Sequence, residues 1–330
     1  MARRVDVLDL VARARCGEHL AVGRLISLVE GGGPTLREVA AALAPHAGRA
    51  HVVGLTGPPG AGKSTTTSTL VTALRARGRR VGVLAVDPSS PFSGGALLGD
   101  RVRMGEHAID DGVFIRSMAT RGHLGGLAWS TPQALRVLDA AGCDVVLVET
   151  VGVGQSEVEV AALADTTVVL LAPGTSDGVQ AAKAGILEVA DVFVVNKADR
   201  DGAEQTVRDL RHMLSLGEAA AAVAWRRPVV RTVAARGEGI DDLVAALDAH
   251  GEWLDAGEER RRRRLARTEA EILAITLEQV RARVGDARGS TGLPGLAERV
   301  LTGRLDPYLA ADELARLVST PRAEQSTSTS

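Results

Sequence analysis

The stretch "HVVGLTGPPGAGKST", residues 51–65, restricts the possible folds of this chain more than any other segment. An apolar run, then G-x-x-x-x-G-K-[ST], then "STTTSTLVTALRARG" spells strand, loop and helix in the order that a phosphate-binding loop requires. Gly57, Gly60 and Gly62 let the backbone turn its N–H groups inward, and the following helix adds partial positive charge at its N-terminus. Pro58, Pro59 and Ala61 complete the loop, and Thr65 closes the motif. Lys63 is placed to reach the β- and γ-phosphates and Ser64 to ligate Mg²⁺.

The flanking text agrees with an α/β fold. From His51 to about Leu254, the runs "HVVGLT", "RVGVLAV", "DVVLVE", "TTVVLLA", "DVFVVN" and "PVVRTV" alternate with helix-length segments. Continuous apolar strands of this kind predict a P-loop NTPase with a mainly parallel sheet covered by helices on both faces. Residues 1–50 read as a helical N-terminal region, with apolar positions at helical spacing and a break at "EGGGPT". Residues 51–256 are the expected P-loop domain.

Residues 257–322 read as a helical C-terminal arm, with Leu265, Ile272, Leu273, Leu277, Val280 and Val284 on one stripe. That stripe suits dimerisation or packing on the chain's own domain. Arg260–Arg264 reads as a solvated helix start, and residues 323–330 are polar, small and expected to be disordered.

Composition narrows the function. A formal net charge of −2 and 2% aromatic residues argue against nucleic acid as a partner, since such binders use basic faces or stacking rings. Cys16 and Cys143 form no paired framework, and no apolar stretch approaches the roughly 18 residues that span a bilayer. The N-terminal residues lack the pattern of a secretory signal, so a cytoplasmic location without membrane partners is expected.

Lysine and asparagine are scarce, and their placement is informative. The lysines are Lys63, Lys183 and Lys197, and the asparagine is Asn196. "VVNKAD", Val194 to Asp199, is a buried strand followed by a polar turn. The Asp199 carboxylate can accept from guanine N1–H and the 2-amino group, whereas adenine presents neither donor, so GTP is expected over ATP. Lys197 would lie along the base and Asn196 would brace the loop. The amides of Val233 and Ala234, in "TVAARGEGI", are candidates to meet the guanine oxygen.

"DVVLVETVG" supplies the acidic strand of such an enzyme. Glu149 is expected to hold Mg²⁺ through a bound water and Gly152 to offer its N–H to the γ-phosphate. Asp87 ends the run "RVGVLAV", and Asp100 lies in a Pro/Ser/Gly-rich segment read as a switch loop that carries carboxylates to the metal's water shell. "SMATRGHLGGLA", Ser117 to Ala128, reads as another Gly-rich loop. Val153 stands where small signalling GTPases commonly carry a water-orienting glutamine, and Gln155 comes two places later. Slow intrinsic hydrolysis, completed by a partner or a moving loop, is expected.

In combination, "GLTGPPGAGKST", "VDPSSPFSGGALLGDRVRM", "ETVGVGQSE", "PGTSDGVQAAKAGILEVADVFVVNKAD" and "TVAARGEGI" resemble the methylmalonyl-CoA mutase-associated GTPases of the MeaB/ArgK type, in order over most of residues 1–285. The resemblance implies a homodimeric G-protein chaperone binding GTP and GDP with Mg²⁺. Such a protein gates adenosylcobalamin loading into a B12-dependent acyl-CoA mutase, with that mutase and its cobalamin adenosyltransferase as partners.

It further implies that Lys63, Asp87, Asp100 and Glu149 serve phosphate and Mg²⁺, and that residues 173–183 report nucleotide state. Ala96, Arg101 and Val102 replace the Ser, Lys and Thr common in relatives. The rival readings are a metallochaperone GTPase, which would want a Cys/His cluster, and a transport-system nucleotide kinase.

Overall fold

The computed structural model describes residues 5–87, 105–107, 109–119, 130–150, 156–174, 187–218, 225–286 and 292–319. The chain divides into two compact units, Met1–Arg261 and Arg262–Ser330.

In the first unit, β1 (His51–Thr56), β2 (Val81–Asp87), β3 (Val113–Ala119), β4 (Val145–Thr150), β5 (Thr166–Leu171), β6 (Val192–Asn196) and β7 (Val229–Thr232) form one sheet. The order is β3-β2-β4-β1-β5-β6-β7, and every pairing is parallel. The fold is therefore the expected parallel α/β sheet. It has one strand that the apolar runs did not announce, because "VFIRSMA" lies at the sheet edge and breaks its apolar run with Arg116 and Ser117. Ser117 to Ala119 thus belong to a strand rather than to the Gly-rich loop expected there, and residues 120–128 of that reading lie outside the described residues.

Helices cover both faces, which is why β4, β5 and β6 are buried along their whole length. Side chains alternate across each strand. Leu55, Leu147, Leu170 and Val194 join Leu70, Val71 and Leu74 of one helix, and Leu243 and Leu247 of another, in a single core cluster. Those helices are α4 (Lys63–Ala76) and α8 (Ile240–Ala256).

The opposite face carries Val52, Leu84, Val146 and Val148 against α1 (Val7–Arg15), α2 (His19–Gly31), α3 (Pro34–Leu43), α5 (Thr131–Ala140) and Val160 of α6 (Ser156–Leu163). α7 (Ala203–Glu218) covers Val169, Phe193 and Val195 with Val207 and Leu210. The N-terminal helices thus share a core with the sheet. Asp139 of α5 also accepts the main-chain N–H groups of Arg49 (3.1 Å) and Ala50 (3.0 Å), fixing the entry to β1.

α9 runs from Glu259 to Asp286. The second unit also contains α10 (Leu293–Leu301) and α11 (Pro307–Ser319), joined by Arg299 and Glu313 at 2.6 Å. Among the described residues, no helix is long and apolar enough to cross a membrane.

Candidate functional site

The site forms where β1, β4, β6 and β7 end and α4 begins. Gly57 adopts φ +137°, and a Cβ there would lie 2.1 Å from Leu170 O, so only glycine lets the loop leave β1 so close to β5. Gly62, at φ +90°, is the N-cap of α4, and a Cβ there would lie 2.3 Å from Asn196 Nδ2. The loop and the Asn196 turn are packed against each other, which the sequence spacing of the two motifs could not show.

Lys63 is buried at 8% exposure, and its Nζ donates to Gly57 O (2.6 Å) and Pro58 O (3.2 Å). The ammonium therefore stays inside its own loop. Pro58 and Ala61 are buried, whereas Pro59, Gly60 and Thr65 are exposed along the loop. Ser64 Oγ donates to Glu149 Oε1 at 2.5 Å, across 85 residues of chain. Strand alternation explains the meeting, because Glu149 shares its face of β4 with Val145 and Leu147, the face on which α4 packs.

Asn196 is buried and joins three segments. Its Nδ2 donates to Ala61 O (2.9 Å), while its Oδ1 accepts from Thr232 Oγ1 (3.1 Å) and from Ala234 N (3.1 Å). Lys197 then turns left-handed, at φ 57°, and its Nζ donates to Gly60 O at 2.7 Å. Asp199 follows on the exposed side of this turn.

The amides assigned to the guanine oxygen are already engaged within the protein. Val233 N donates to Glu238 O (3.0 Å) and Ala234 N to Asn196 Oδ1. Asp87 ends β2 beside β4, where Val86 pairs with Thr150. Asp100 and Gly152 lie outside the described residues.

Motif reading missed three side chains. Thr232 holds Asn196, Thr69 Oγ1 donates to Ala234 O at 3.0 Å, and Arg236 approaches Asp199 within 3.4 Å. Their visible signal was their position in or near the quoted motifs, but their partners are distant in sequence.

A phosphate-binding loop between the first strand and its helix, on a parallel sheet whose β6 ends in N-K-x-D, defines a P-loop GTPase that binds guanine nucleotide. More narrowly, the chain belongs to the family described as methylmalonyl Co-A mutase-associated GTPase MeaB, which matches residues 22–289.

A Pyrococcus abyssi relative whose name carries the word GTPase is 46% identical over 309 residues, covering 93% of this chain and 95% of its own. GTPase ArgK of Escherichia coli (strain K12) is 38% identical over 257 residues, covering 75% and 76%. The crystal structure of an LAO/AO transport system kinase superposes with a TM-score of 0.70 at 27% identity, covering 97% of this chain and 100% of that one.

Proposed function

We propose that this GTPase is a Mg²⁺-dependent chaperone for a B12-dependent acyl-CoA mutase, methylmalonyl-CoA mutase or a relative. In this reading it gates adenosylcobalamin loading and protects the mutase from inactivation. The carrying observation is the Ser64–Glu149 contact at the loop, within a chain of the mutase-associated family. A hydroxyl and a carboxylate oxygen, both hard donors, fit Mg²⁺, with Asp87 and Asp100 as further carboxylates. When bound, the ion would neutralise phosphate charge. Lys63 and the loop amides Gly57–Thr65 would hold the phosphates, Gly152 would serve the γ-phosphate, and Asn196, Lys197 and Asp199 would hold the base.

Hydrolysis is slow and partner-stimulated in this reading, because Val153 replaces the usual water-orienting side chain. A homodimer built through residues 257–322 is supported by the exposure of Leu265, Ile272, Leu273, Leu277 and Val280 on α9, each at least 41% exposed. The mutase and its cobalamin adenosyltransferase are the proposed partners, in the cytoplasm.

Pull-down of purified candidate mutases in GDP and in a non-hydrolysable GTP analogue, followed by GTPase rates with and without each, tests this. One mutase should bind in a nucleotide-dependent way and raise the rate. Equal binding and an unchanged rate for all candidates would remove the chaperone role and leave the GTPase.

A further inference from the structure

We infer that Arg236 is a positioning residue for base recognition: it orients the Asp199 carboxylate toward guanine while Glu238 holds Arg236 in place. This rests on the reading of Asp199 as the acid that selects guanine. Arg236 ends the short turn Ala234–Arg236 after β7. Its Nε lies 2.7 Å from Glu238 Oε1 and its Nη2 3.2 Å from Glu238 Oε2, while Nη1 lies 3.4 Å from Asp199 Oδ2. A guanidinium gripped by both oxygens of one carboxylate has its plane set, so the remaining nitrogen points in a set direction.

The platform beneath it is firm. Arg236 N donates to Val233 O (2.8 Å), Gly237 N to Ala234 O (3.1 Å) and Val233 N to Glu238 O (3.0 Å), and Thr69 ties Ala234 O to α4. The turn that carries Asp199 is itself held, by Ala198 N on Thr232 O (3.0 Å) and Arg200 N on Lys197 O (3.0 Å), but the Asp199 side chain is 39% exposed, and Arg236 is the ion partner that the structure shows for it. Guanine recognition needs both carboxylate oxygens turned toward N1–H and the 2-amino group together. A half-exposed aspartate loses side-chain freedom on binding, and a fixed cation at Oδ2 removes part of that loss beforehand. The Glu238 hydrogen bond also raises the Arg236 pKa, so this cation persists at any working pH.

The test is calorimetric binding of GTP, ITP and ATP with Mg²⁺ to the intact wild type and to Arg236→Ala, Arg236→Lys, Glu238→Gln and Asp199→Asn. ITP lacks the 2-amino group. Arg236→Ala should lower the GTP-to-ITP affinity ratio about three- to tenfold. Glu238→Gln should lower it less, and Arg236→Lys, which keeps the charge but not the fork, should fall between wild type and Arg236→Ala.

An unchanged ratio in Arg236→Ala alongside a lost guanine preference in Asp199→Asn would overturn the role of Arg236 alone. Tighter GTP binding in Arg236→Ala would also overturn it, since Arg236 would then compete with guanine. So would equal weakening of GTP and ITP, which would mark a general electrostatic contact. Retained guanine selectivity in Asp199→Asn would remove the reading of Asp199, and this inference with it.

Discussion

At the C-terminal ends of the strands, ammonium and amide groups of this protein donate to carbonyls of the phosphate loop; at the N-terminal ends, buried carboxylates, imidazoles and a hydroxyl tie neighbouring strands and helices together. Lys63, Lys197 and Asn196 donate to the carbonyls of Gly57, Pro58, Gly60 and Ala61. At the other pole, Thr166 Oγ1 lies 2.7 Å from both His51 Nε2 and His250 Nδ1. Asp191 Oδ2 accepts Thr167 N at 2.8 Å, and Asp165 Oδ2 accepts Val52 N at 3.2 Å with Arg260 Nη1 at 3.4 Å. Trp225 and Trp253 close over His250, with ring centroids 4.7 and 5.4 Å away.

The two poles serve different ends. A neutral carbonyl holding an ammonium can give way to phosphate, which makes the stronger charge-assisted bond. A sealed network of side chains holds strands in register and has no comparable exchange to make.

The sharpest break of this contrast is Lys63→Ala. GTP affinity and single-turnover hydrolysis should fall about a hundredfold or more, with the urea midpoint nearly unmoved. A comparable loss of stability instead would mean that Lys63 belongs to the structural pole.

Asp165→Ala should do the reverse. Its buried carboxylate serves Val52 N and Arg260, so unfolding free energy should drop by about 2–3 kcal/mol while GTP affinity changes less than about threefold. Urea titration and calorimetry on one preparation decide it.

Asn196→Ala is the intermediate case, because the residue is both buried and shared by the loop, Thr232 and Ala234. It should cost about 1–2 kcal/mol in stability and weaken GTP binding about tenfold, both together. Loss of only one of the two would separate the poles more cleanly than proposed.

The smallest effect is at Asp110. The Arg75 guanidinium, and then the Gly112 N–H, hold its carboxyl below the ordinary value of 3.8. A depressed folded value means that this stabilisation is complete above 3.8 and is lost as pH falls through the lower folded value. Asp110→Asn should therefore flatten the stability curve on that acid limb. The change should be below about 1 kcal/mol, since the pair is 25% and 34% exposed.

Much of this was legible beforehand. The six apolar runs are strands, and the phosphate loop stands between β1 and α4, because a strand buried on both faces must be apolar throughout and a phosphate loop has a narrow glycine pattern. β3 was not legible, since an edge strand tolerates Arg116 and Ser117. Nor were the bonds that the Val233 and Ala234 amides, candidates for the guanine oxygen by motif position, make to Glu238 O and Asn196 Oδ1. Asp100 and Gly152 keep only their sequence reading.

What the amino-acid order determined alone is the local chemistry: which loop can face phosphate, which acid can face guanine, and which segments must be strands or helices. These depend on backbone freedom, hydrogen-bonding capacity and periodicity over a few residues. The tertiary structure decided which groups meet, bringing Ser64 to Glu149, Asn196 to Ala61 and Ala234, and Arg236 to Asp199. The strand order and the alternation of faces made those encounters across 37 to 135 residues of chain, distances over which local pattern carries no information about contact.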